Sequence, residues 1–101
     1  MIGLAVLALA ATVAPADDEI VVMGRALEAL AVILARDPAG KLSCNLSASS
    51  GDRGVDAQLC KTAAHCFKQG ATENAAMRGC IEARKPAILN EFAARVRARQ
   101  G

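Results

Sequence analysis

The sequence predicts a small α+β domain stapled by disulfides: a short N-terminal β-hairpin followed by about three helices. Three observations predict it. Four cysteines, Cys44, Cys60, Cys66 and Cys80, follow an apolar N-terminal leader. The turn signal Asp37-Pro38-Ala39-Gly40 separates two runs in which apolar residues alternate. From about Gly54 onward the apolar residues recur at helical spacing, punctuated by Gly70 and Pro86. Reading the first run as helix leaves a lone strand, and the alternative is an all-α domain.

Residues 1–16 read as a signal peptide. Ile2 to Val13 is an almost unbroken run of Ile, Leu, Val, Ala and Gly that closes on Ala14-Pro15-Ala16, ahead of Asp17, Asp18 and Glu19. An apolar core of about 7 to 15 residues ending in a small-x-small site suits cleavage, here after Ala16. The other reading of the run is a buried N-terminal helix. It falls short of the about 20 apolar residues that span a bilayer, so no stable membrane insertion is expected once the leader is cut. The mature chain is then 101 less 16, or 85, residues. A domain of that size buries only about 60 to 65% of its unfolded surface. With Phe67 and Phe92 as its two aromatic residues, it depends on crosslinks, and an exported chain meets an oxidising compartment.

Along the mature chain, 17–26 reads as an extended segment around the β-branched Ile20-Val21-Val22, and 27–101 as one stapled domain. Residues 26–36 fit two patterns: Leu27, Leu30, Ala31 and Leu34 have helical spacing, whereas Leu30, Val32 and Leu34 alternate. Leu42, Cys44 and Leu46 alternate beyond the turn, which favours a hairpin over about 29–47. Asp52 or a neighbouring serine caps a first helix, Val55 to Gln69, and Gly70 stops it. Thr72 starts a second helix reaching about Arg84. Pro86 suits the first turn of a third, with Ile88, Leu89, Phe92 and Val96 as its apolar stripe.

Helix geometry constrains the cysteines. Cys60 and Cys66 sit about 120° apart around one helix and about 9 Å along it, too far for a bond whose Cα atoms lie about 4.4 to 6.8 Å apart. Of three connectivities, Cys44 with Cys60 and Cys66 with Cys80 are favoured, each closing a loop of about 15 residues worth about 3 kcal/mol. The competing reading is a metal- or ligand-binding protein using His65 with Cys60, Cys66 and Cys80. The spacing has no Cys-x2-Cys knuckle and no Cys-x-x-Cys-His haem motif, and no cofactor is expected.

No catalytic residues are assigned. There is one histidine, no Tyr or Trp and no nucleophile motif. Asp52 and Asp56 are explained as carboxylates near a helix N-terminus, and nothing in the spacing of Asp52, Asp56 and Glu73 sets an acid–base separation. Charge is uneven: residues 17–52 hold three bases and six acids, residues 53–101 nine and four, or about −3 and +5. Arg95, Arg97 and Arg99 form a basic tail that suits a helix C-terminus. Without aromatic residues in that tail to stack on bases, nucleic acid is not an expected partner.

Two stretches carry a resemblance. Asp18-Glu19-Ile20-Val21-Val22-Met23-Gly24-Arg25 resembles the TonB box of TonB-dependent outer-membrane receptors, an extended peptide that adds a strand to the TonB C-terminal domain. At 85 residues the mature chain is too short for such a receptor's plug and barrel. Cys44-Asn45-Leu46-Ser47-Ala48-Ser49-Ser50-Gly51-Asp52, on through Asp56 to Cys60, resembles part of some TonB-like C-terminal domains and of small exported cysteine-rich proteins of Gram-negative bacteria. With no catalytic constellation and a leader ahead of four cysteines, the expectation is a non-enzymatic periplasmic interaction or structural module. By the TonB-box resemblance Ile20, Val21, Val22 and Arg25 would dock to the sheet edge of a periplasmic protein partner; the other reading makes Ile20 to Val22 an ordinary edge strand of the domain.

Overall fold

The computed structural model describes residues 15–100, as α1 (Pro15–Ala29), β1 (Val32–Arg36), β2 (Leu42–Leu46), α2 (Arg53–Lys68) and α3 (Asn74–Gln100). The expected leader lies outside the described residues except for Pro15 and Ala16, which open α1. A two-stranded antiparallel hairpin and three helices make a small α+β domain.

The segment expected to be extended is helical. Ala16, Met23, Leu27 and Leu30 are buried and Ile20 packs against them, a spacing of three and four that lines one side of a helix. Asp17 and Asp18 fall in its first turn, where acids favour the macrodipole. The β-branched Ile20-Val21-Val22 and Gly24 argue locally against helix, but propensity is a weak prior beside burial of a whole face. α1 docks on α3, and Gly24 sits at the approach, where an added Cβ would lie 3.5 Å from Leu89 Cδ2.

The hairpin pairs Val32 with Leu46, Leu34 with Cys44 and Arg36 with Leu42. Val32, Leu34, Leu42, Cys44 and Leu46 are half-buried, while Ile33, Ala35, Ser43 and Asn45 are exposed, and both strands pack on α2. Its turn is closed by Gly40 N–H donating to the Asp37 carbonyl at 2.8 Å, with Gly40 at φ 84°. That is the left-handed residue which ends a three-residue hairpin loop.

α2 begins at the Asp52 cap, whose carboxylate accepts from Val55 N–H at 2.9 Å. It ends in a Schellman motif: Ala71 N–H donates to the Cys66 carbonyl and Gly70 N–H to that of Phe67, both at 3.0 Å, with Gly70 at φ 102°. The two helices expected on either side of Pro86 are one, Asn74–Gln100. Pro86 removes a ladder bond and crowds the carbonyl of Glu82. Burial of Ile81 and Lys85 before it, and of Ile88, Phe92 and Val96 after it, holds both halves on one axis. Lys85 is the concealed member of that stripe. Its ammonium donates to the Leu30 carbonyl at 3.0 Å, just past the end of α1, and pairs with Glu82 at 2.6 Å, a cation set at a helix C-terminus.

The disulfides join Cys44 to Cys60 and Cys66 to Cys80, with Cα separations of 5.8 and 6.0 Å. One ties β2 to α2, the other α2 to α3. Val55, Leu59, Cys66 and Val96 are the largest fully buried side chains, so the centre of the core lies along α2.

Candidate functional site

The residues expected to dock as a strand lie on α1. Ile20 packs against the core, Val21 and Val22 are 53% and 59% exposed, and Arg25 is exposed. They do not form an extended peptide. Freeing them as one would expose Met23 and Leu27, at about 1.5 to 3 kcal/mol for each buried apolar side chain.

All four cysteines are consumed in disulfides, so no thiolate is present to bind metal, and His65 is exposed. Among the described residues no group of three His, Cys, Asp or Glu converges on one point. Asp52 and Asp56 meet at the start of α2, whereas Glu73 follows its far end. At 1.5 Å per residue the 16-residue helix keeps them about 24 Å apart.

Asp52 and Asp56 organise the loop into α2. Asp56 accepts from Ser49 Oγ at 2.7 Å, Ser50 Oγ at 2.6 Å and Ser50 N–H at 2.9 Å. Burial opposes its ionisation, but these three hydrogen bonds outweigh it and bring the pKa below the usual 3.8. Asp52 is also lowered, first by the hydrogen bond from Arg95 at 3.1 Å, against the effect of burial, and then by Val55 N–H. Arg99 lies 3.9 Å from Glu19. Two of the three tail arginines are thus engaged within the molecule.

One feature with room for a ligand is an open groove of about 760 Å³ beside β1. The last turn of α1, β1 itself, Phe67 of α2 and the first turns of α3 line it. The hairpin ladder shows which backbone groups face it. Ser47 N–H donates to the Ala31 carbonyl at 2.9 Å and Asp37 N–H to that of Lys41, also at 2.9 Å. Antiparallel bonding alternates, so Ile33 and Ala35 bond towards β2, and Val32, Leu34 and Arg36 point their N–H and C=O groups away from it. Among the described residues no third strand pairs with that edge. The Cα atoms of β1 stay more than 8 Å from those of α3, and a paired strand lies about 4.8 Å away.

Leu30, Phe67, Met77 and Ile81 supply the apolar part of a lining that is polar for the rest, and its ends carry opposite charge. Glu28 supplies the negative charge at the end where β1 starts; Glu82 is there too, held beside Leu30 by Lys85, whose ammonium offsets its charge. Arg36 closes the other end, 5.2 Å over the Phe67 ring, and Arg78 stands one turn nearer the start of α3 than Glu82. Sequence alone gave a partial signal: a two-stranded hairpin leaves an unpaired edge. It did not reveal that α3 walls that edge.

No helix among the described residues is long and apolar enough to cross a membrane. Two disulfides in so short a chain suit an oxidising compartment outside the cytosol. Comparison with protein-family models, curated proteins and solved structures finds no match.

Proposed function

We propose that the chain is a non-enzymatic interaction module of the periplasm or extracellular space that binds a protein partner in the groove beside β1. One observation carries the reading: the outward N–H and C=O groups of Val32, Leu34 and Arg36 border a groove of mixed polar and apolar lining, with no strand among the described residues against them. Such an edge is a template for another chain. Export is supported by the leader-like residues 1–16 together with the disulfides. Sheet-edge recognition thus belongs to the receiving side, in place of donation by Ile20 to Arg25, which are committed to α1.

Panning a random dodecapeptide library on the oxidised domain tests this. Binders should enrich on the wild type and be lost on Met77→Lys, which puts a charge in the groove wall, with thermal melts confirming that the variant is folded. No enrichment, or equal enrichment on the folded variant, would refute the reading.

A further inference from the structure

We propose that the groove receives a single extended peptide strand, antiparallel to β1, with an acidic residue towards its N-terminus and a basic one towards its C-terminus. The inference rests on the module reading above and adds the chemistry of the occupant.

Length, edge chemistry and charge all bear on it. β1 spans about 13 Å at about 3.3 Å per residue, and the stretch of α3 from Asn74 to Glu82 runs about 12 Å at 1.5 Å per residue. The two walls therefore match over the length of one short strand. Val32, Leu34 and Arg36 offer N–H and C=O groups in alternation, which a strand satisfies and a helix cannot. Antiparallel pairing is the slightly more stable form. A peptide running that way starts at the Arg36 and Arg78 end and finishes at the Glu28 end, where Glu82 is already paired with Lys85. Opposite-charge contacts at both ends then fix its direction.

A second copy of this chain fits less well. β1 and β2 turn their half-buried side chains towards α2, so the helices lie on one face of the sheet. An antiparallel copy, related by a two-fold axis normal to the sheet, would bring its own helices to that same face and onto α2 and α3. A lone peptide brings no second layer.

The test uses the oxidised full chain and fluorescein-labelled Asp-Thr-Val-Thr-Val-Thr-Lys, capped at both ends, read by fluorescence anisotropy. Its sequence-reversed form has the same composition and the opposite charge order. The acidic-first peptide should bind at least about tenfold more tightly, about 1.4 kcal/mol, and Arg78→Glu should abolish that preference. Arg78 is exposed, so this variant keeps the fold. Two further peptides, N-methylated at alternate residues in the two possible phases, should divide, one binding and the other not. Equal binding of both peptide orders or of both methylated forms would overturn the proposal, as would no binding at all. So would a concentration-dependent dimer that excludes the peptide, which would assign the edge to a second copy. If library binders are lost on Met77→Lys while this peptide fails, the module reading stands and the peptide chemistry falls.

Discussion

At Asp56 a single carboxylate gathers three hydrogen bonds from two serines, and at Asp52 another serves as helix cap and as partner of Arg95. Both pKa values are lowered on folding, so the unfolded chain binds more protons through that range. Their contribution to stability is present above about pH 3.8 and is lost as pH falls through the folded values. Urea unfolding at pH 6 and pH 3 should show the drop, and Asp56→Asn should reduce it. Asp52→Ala should cost about 0.5 to 2 kcal/mol, the range for an N-cap. Gly54→Ala should also destabilise, because its Cβ would lie 3.1 Å from Asp52 Oδ2 and 3.2 Å from Arg95 Nη2. The cap itself was legible in Ser49-Ser50-Gly51-Asp52, since short polar residues before an apolar helical pattern carry that meaning. The bond from Arg95, 43 residues away, was not, because no local pattern encodes it.

Among the elements, α2 could be read closely from sequence: its expected span Val55 to Gln69 compares with Arg53–Lys68, and cap and Gly70 both speak locally. α1 could not. Its three β-branched residues and Gly24 favour an extended chain, and the helix is decided by Met23 and Leu27 meeting α3. Pro86 misled in the same way, because Lys85 breaks the apolar stripe in sequence while occupying it in space. Two substitutions test α1. Leu27→Ala should destabilise by about 2 to 5 kcal/mol, as for a buried leucine, where an unpacked extended segment would tolerate it. Gly24→Ala should stabilise by about 0.5 to 1 kcal/mol, since 3.5 Å from Leu89 Cδ2 is ordinary contact. Thermal or urea melts read both.

Across the whole molecule, the four cysteines turn a modest core into one unit, with α2 held to the hairpin on one side and to α3 on the other. This was legible in part: helix geometry disfavoured Cys60 with Cys66, which leaves two connectivities, and the favoured one of these is observed. Replacing Cys44 and Cys60 by Ser should cost on the order of 3 kcal/mol and loosen the hairpin from α2, seen as a lower urea midpoint. The groove emerged only from the layering. The hairpin covers α2, α1 docks on α3, and the first turns of α3 are left beside an unpaired edge. Backbone amide exchange along β1, followed by NMR with and without the acidic-first peptide, tests this most directly. In the free protein Ile33 and Ala35 should be protected, while Val32, Leu34 and Arg36 exchange fast, and the peptide should slow those three. Protection of all five amides in the free protein, or no change at Val32, Leu34 and Arg36 when the peptide is saturating, would contradict the account.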